Sequence, residues 1–394
     1  MMRISRRLDL DVAQSWQGAQ QDIRLMPHQD MPSERETAQD NMDSLAVETA
    51  QLVAFLRSLK ANSGTSATIE VKETHKSWVF LVGDEVYKLK KPVRDHLQDL
   101  TTLSAREANA RNEVRLNRRL APDVYLGVAA VTRCRDGGIE VDGKGAIIDW
   151  LVHMRRVPEE FMLDQMILRG HVPEERIGAL IDLMAEFYQQ LPRPSLNPKD
   201  YAAHFEREQL ENRRVLTMSQ FPLDRQQVTA LLDAFDDQLN LLRELLEKRA
   251  GEGKIVEGHG DLRPEHVCLR DPPLIIDCLE FNLGLRLVDP HDELSYLGLE
   301  CGLLGAQWIS ERLTSGYAQR AHDPCPKHLI SFYTAYRAFL RARLCLAHLL
   351  DPGPQEVSKW ISKAQSYLVA AERAVLSLGK PGDRPSNHQG EGGG

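Results

Sequence analysis

The stretch from Lys254 to Phe281, KIVEGHGDLRPEHVCLRDPPLIIDCLEF, constrains this 394-residue chain more than any other. Its apolar runs are short and punctuated by Gly, Pro and Asp, so they read as brief strands joined by a structured loop. Ile255 and Val256 are expected to end one strand, and His259-Gly260-Asp261 to open a turn-rich loop. Val267 to Leu269 reads as a small strand, and Leu274 to Ile276 as another that delivers Asp277. Segment 255–281 is therefore expected to be a catalytic loop that brings two aspartates to one cleft.

Paired carboxylates in such a loop suit phosphoryl transfer, which depends mainly on positioning and on neutralising charge at phosphate and metal. Asp261 is expected to orient an attacking hydroxyl, and Asp277 to hold magnesium. Arg263, two residues past Asp261, is placed to meet charge on the transferring group. His266 stands five residues past Asp261, where the protein-kinase pattern H-R-D-x-x-x-x-N has a second metal ligand. Taken singly, either aspartate would read as an ordinary turn residue. His259 reads as a structural residue that holds the loop by hydrogen bonds, and Glu265 and Glu280 as solvent-facing neighbours, with a supplement to metal binding as the alternative. No G-x-S-x-G element is present.

HGDLRPEH (His259 to His266) followed by Ile276-Asp277 resembles the Brenner-type motif of the aminoglycoside phosphotransferase family, a branch of the protein-kinase-like fold. Three further blocks, ETHKSWVFLVGDEVYKLKKPV from Glu73, EVRLNRRLAPDVYLGV from Glu113 and DWLVHMRRVPEE from Asp149, resemble a bacterial subgroup of that family. In that subgroup a kinase-like domain is often followed by a P-loop ATPase domain. The resemblance implies an α+β, bilobal fold with a small antiparallel N-lobe sheet and a mostly helical C-lobe. It also implies ATP with Mg2+ as cofactors, Mn2+ being the alternative. One position departs from the pattern: the family usually has Asn where this chain has His266. An imidazole suits transition ions better than hard, oxygen-preferring magnesium, which bears on metal choice and on turnover.

Composition narrows the partners. A formal net charge of −8 argues against a general nucleic-acid binder, which needs a basic surface to displace counterions. The 42% hydrophobic and 27% charged content is that of an ordinary globular protein. The six cysteines include no CxxC pair and no zinc-ligand spacing, and read as reduced thiols. No apolar run approaches a membrane span and no secretory signal is evident, so a cytoplasmic location without membrane contact is expected.

In chain order, residues 1–43 read as a mobile leader and 379–394 as a disordered tail. The N-lobe is expected over 44–154, opened by an amphipathic helix that spans 44–61 and packs on the sheet. Ala67 to Val71, Trp78 to Val82 and Glu85 to Lys91 read as strands, with a tight turn at Gly83-Asp84. The loop Thr74 to Ser77 lacks the glycine of a phosphate-covering loop, and the resemblance implies that Ser77 and its neighbouring amides stand in. Lys88 and Lys90 share a strand face. The resemblance assigns Lys88 to the nucleotide phosphates, with Lys90 as the second choice. Thr101 to Leu120 reads as the helix that carries its partner, Glu113, with Glu107 as competitor. The strand Ala146 to Met154 resembles the adenine-binding hinge, with Trp150, Val152 and Met154 as pocket or plain core.

The C-lobe is expected over 155–378. Helices are read at Tyr201 to Met218, Asp224 to Ala250, 303–321, 326–350 and 355–378. The block Leu287 to Leu294 resembles the family's second acidic motif, which implies that Asp292 braces the catalytic loop and that Asp289 either shares that role or serves as an N-cap before Pro290. Arg337, Arg341 and Arg343 read as a solvated face, with contact to an anionic substrate as the alternative. The expected function is ATP-dependent transfer of a phosphoryl group to a hydroxyl of a small molecule. The alternative is a nucleotide-binding pseudokinase serving as a scaffold. The chain contains no G-x-x-x-x-G-K-[ST], so a P-loop ATPase partner would be a separate protein.

Overall fold

The computed structural model describes residues 48–59, 69–95, 97–350 and 356–378, and the expected leader and tail lie outside them. Two compact units emerge, one of residues up to Met162 together with His266–Arg286, the other of Leu163–Glu265 and Leu287 onward. The division is not the linear one expected at residue 155, because part of the 255–281 loop belongs with the sheet. Its strands β8 (Val267–Cys268) and β9 (Leu274–Ile275) place Cys268 and Leu274 in the same buried cluster as Val86, Val114 and Val152.

The first unit is built on an antiparallel six-stranded sheet in the order β1-β2-β3-β6-β4-β5. Its strands are β1 (Glu70–Glu73), β2 (Ser77–Val82), β3 (Glu85–Lys90), β4 (Tyr125–Arg133), β5 (Ile139–Val141) and β6 (Ala146–Arg155). Gly83, at φ +63°, lets Val82 pair directly with Glu85 across a two-residue turn. Alternation then sorts the side chains. Phe80, Leu89 and Leu151 pack with Leu52 and Leu56 of the helical stretch 48–56, while Val86, Val152 and Met154 pack with Ala110 and Val114 of helix α1 (Leu103–Asn117). Lys88 and Lys90 have the parity of Val86 and so lie on the α1 side. Helix α1 begins at an N-cap, Thr102, whose hydroxyl accepts from the Ala105 N–H.

The second unit is mostly helical: α2 (Leu163–Leu168), α3 (Glu174–Gln190), α4 (Pro198–Leu216), α5 (Arg225–Gly251), α6 (Pro290–Leu303), α7 (Gln307–Arg320), α8 (Lys327–Ala347) and α9 (Val357–Ser377). Phe205 of α4, Phe235 of α5, and Phe332 and Phe339 of α8 interlock as one aromatic core. Burial of each such ring contributes on the order of 1.5–3 kcal/mol. The helix expected over 303–321 starts only at Gln307. Gly305, at φ +100°, closes α6 with its N–H donating to the Gly302 carbonyl and the Ala306 N–H donating to that of Cys301. That pair of bonds is a Schellman ending, which a glycine at this position favours. No described helix is long and apolar enough to cross a membrane.

Candidate active site

In the first unit, five charged side chains meet beneath the sheet. Lys88 Nζ lies 2.9 Å from Glu113 Oε1 and 2.7 Å from Asp277 Oδ1. Lys90 Nζ lies 2.5 Å from Glu113 Oε2 and 2.6 Å from Glu280 Oε1. Glu113 therefore receives both lysines. Glu107 makes only an exposed pair with Arg111, one helical turn away. Glu280 is not solvent-facing, because Lys90 draws it under the sheet.

The strand geometry explains this convergence: residues two apart on β3 present both ammonium groups to the buried α1 position of Glu113. Burial pushes the Lys88 ammonium towards neutrality, but the Asp277 and Glu113 carboxylates outweigh it and hold its pKa well above the usual lysine range. Burial likewise opposes ionisation of Asp277, and the Lys88 ammonium reverses that, holding its carboxyl far below the usual range.

The backbone around Asp277 is fixed residue by residue. Its N–H donates to the Tyr125 hydroxyl at 3.1 Å, the Cys278 N–H to Asn117 Oδ1 at 2.8 Å, and Asn112 Nδ2 to the Glu280 carbonyl at 2.6 Å. These bonds hold Asp277 at φ +61°, a left-handed conformation that costs a non-glycine residue on the order of 1 kcal/mol. Such strain persists where the surroundings over-determine it and is concentrated at functional positions. His266 Nε2 stands 3.7 Å from Asp277 Oδ2.

No group of three or more metal-ligating side chains occurs among the described residues, so Asp277 and His266 could hold a cation only together with phosphate and water ligands. The Asp277 side chain remains 46% exposed, so its carboxylate can reach a cation that takes its other ligands from phosphate and water, as magnesium does. His266 adds an imidazole beside it, a ligand that favours manganese over magnesium.

Other expected nucleotide residues are placed differently. The Ser77 N–H donates to Thr74 Oγ1 at 2.9 Å and the Thr74 N–H to the Ser77 carbonyl at 2.8 Å. These amides close a turn instead of standing open to a phosphate. Val152 is fully buried opposite Lys88 in the β3–β6 register, as core. Trp150 is partly buried, with the Arg111 guanidinium 5.3 Å from its ring centre.

In the second unit, β7 (Val256–Glu257) pairs with β10 (Leu287–Val288) and sets the loop beside the start of α6. The buried Glu293 carboxylate accepts from the His259 N–H at 3.0 Å, the Gly260 N–H at 2.6 Å and the Tyr188 hydroxyl at 2.7 Å. The bracing residue is therefore Glu293 and not Asp292. One residue earlier on the helix, Asp292 points elsewhere and forms a bidentate pair with Arg337 at 2.7 and 2.6 Å. Asp289 caps α6 through the His291 N–H and also takes Arg249 and the Tyr333 hydroxyl.

Asp261 accepts from Tyr296 Oη at 3.1 Å and from Arg263 Nε at 3.1 Å, while its own N–H donates to His259 Nδ1 at 3.3 Å. Burial, reinforced by the Asp261 anion, raises the Tyr296 pKa and keeps this hydroxyl a donor. Arg263 also pairs with Glu265 at 2.5 Å. The arginines expected on a solvated face are engaged: Arg337 with Asp292, Arg341 with Glu300 and Arg343 with Glu208.

The first unit's antiparallel sheet and the mostly helical second unit give a kinase-like α+β architecture. The model of the phosphotransferase enzyme family matches residues 59–290, and the chain belongs to that family. Uncharacterized proteins of Mycobacterium tuberculosis and Mycobacterium bovis are each 32% identical over 321 residues, covering 80% of this chain and 63% of theirs. The chain thus spans just under two thirds of the length of these relatives. Among solved structures, a choline/ethanolamine kinase family protein from Mesorhizobium loti is 15% identical, covers 84% of this chain and 99% of its own, and has a TM-score of 0.43. Choline kinase LicA from Streptococcus pneumoniae is 14% identical over 86% and 98%, with a TM-score of 0.45. Aminoglycoside phosphotransferase APH(4)-Ia is 12% identical over 84% and 99%, with a TM-score of 0.46.

Proposed function

We propose that this protein transfers the γ-phosphoryl group of ATP to a hydroxyl of a small molecule. The observation that carries this reading is the Lys88 ammonium held between Glu113 and Asp277. In the first unit, Lys88 supplies a fixed positive charge for nucleotide phosphates, and Glu113 keeps it in place. Asp277, with His266 beside it, would hold the metal, which when bound neutralises charge on the phosphates. In the second unit, Asp261 accepts the proton of the acceptor hydroxyl and aligns that oxygen for attack. Tyr296 and Arg263 hold the Asp261 carboxylate as an oriented anion.

A second reading, a nucleotide-binding pseudokinase, is favoured by His266 in place of an oxygen ligand and by the closed Thr74–Ser77 turn. Turnover separates the two. Purified protein with ATP, magnesium or manganese and a pooled library of alcohols, amino alcohols and sugars is followed by phosphorus NMR. Under the enzyme reading a new phosphate ester forms, and Asp261→Asn lowers its rate by about 10²-fold or more. ATP binding without any ester from the pool, in wild type and variant alike, would leave the pseudokinase reading standing.

A further inference from the structure

A polar pocket of about 390 Å³ lies in the first unit, away from the lysine cluster: Lys88, Glu113, His266 and Asp277 do not line it. It is walled by residues at the end of α1, at the start of β4, just past β6 and in the β8–β9 turn. Four of its lining residues are arginines, Arg118, Arg155, Arg156 and Arg270, against one acid, Asp123. This concentration of positive charge sits on a chain whose formal net charge is −8.

The four arginines are not equally committed. Arg118 donates to the Tyr125 carbonyl at 2.8 Å and to that of Leu126 at 2.5 Å, which fixes one wall. Arg156 makes a 3.4 Å contact with Glu70. The guanidinium groups of Arg155 and Arg270 have no partner among the described residues, and Arg270 Nε is buried without a hydrogen bond. A buried charged donor left unpaired is costly, and a multidentate anion removes that cost. Guanidinium forks match phosphate oxygens two at a time, and the volume is that of a small-molecule site.

We propose that this pocket binds a small phosphorylated anion, gripped by Arg155 and Arg270, at a site separate from the Lys88–Asp277 cluster. Titration calorimetry of the full chain with sodium pyrophosphate, without metal and at constant ionic strength, tests it. Wild type is expected to bind saturably. Arg155→Gln and Arg270→Gln are each expected to weaken one binding event roughly tenfold, and that event is expected to persist in Lys88→Met, which removes only what binds at the lysine cluster. Arg155 is exposed, so its substitution leaves the fold intact even if Arg270→Gln does not; circular dichroism checks both. Binding lost in Lys88→Met and kept in both arginine variants would place the anion in the lysine cluster and overturn the proposal. So would heats that never saturate, or that are the same in wild type and both arginine variants.

Discussion

Replacing Glu293 by alanine removes the acceptor that the His259–Gly260 loop shares with α3. Three donors lose their partner: the His259 N–H, the Gly260 N–H and the Tyr188 hydroxyl. His259 and Tyr188 are both fully buried, so water does not simply replace the carboxylate. Each orphaned buried donor costs about 1–3 kcal/mol, and partial relaxation of the loop keeps the total near the lower bound, at about 3 kcal/mol. For a unit of this size that corresponds to a fall in Tm of about 6–12 °C, read by scanning calorimetry. Glu293→Gln keeps one carbonyl oxygen, and the Tyr188 hydroxyl can turn to accept from the new amide, so its loss is about half as large. A Glu293→Ala protein that melts within about 2 °C of wild type would refute the reasoning, as would a glutamine variant less stable than the alanine one.

Further outcomes follow from other parts of the molecule. Glu113→Ala strips both lysines of a fully buried partner and should cost about 2–4 kcal/mol in denaturant melts, while Glu107→Ala, an exposed i,i+4 pair, stays within about 0.5 kcal/mol. Burial pushes the His204 imidazole down from 6.5 to about 4, so the folded state resists a proton that the unfolded chain accepts. That contribution is intact above pH 6.5 and is lost as pH falls towards 4, by at most about 3 kcal/mol. His204→Phe should flatten the stability–pH curve over that window, and an unchanged slope would reject the assignment. Gly305→Ala puts a side chain at φ +100° and should destabilise by about 1–2 kcal/mol, although the space around it is open. Wild-type stability in that variant would mean the Schellman ending relaxes without cost.

What the sequence disclosed follows physical periodicity. Alternation along β3 places Lys88 and Lys90 on one face, and the three- and four-residue spacing of α1 turns Glu113 inward; the structure joins those two inferences at Glu113. Gly83 marks its hairpin because only a residue tolerant of positive φ closes a two-residue turn there. Asp292 and Glu293 show the limit of such reading. Adjacent acids on a helix point about 100° apart, and which of them meets the loop depends on how α6 rolls against β7 and β10. Arg337, Arg341 and Arg343 look like a polar face in one dimension, yet each finds an acid on another element. The pairing of Lys90 with Glu280 and of Asn117 with the Cys278 N–H joins residues far apart in sequence that no local pattern links. The break at Gly305 was legible in principle, since a glycine inside a helical pattern is a recognised C-terminal signal.

The central claim is that Asp277 and Lys88 form a working metal–nucleotide site. Thermal stability of wild type and Asp277→Asn, each with ATP and magnesium, ATP and manganese, or ATP alone, tests it most directly, because a ligand that binds only the folded state raises Tm by mass action. Wild type is expected to show a metal-dependent rise, about 2.7 kcal/mol of added stability at a hundredfold excess over Kd, that disappears in Asp277→Asn. No rise with either metal, or an equal rise in the variant, would contradict it.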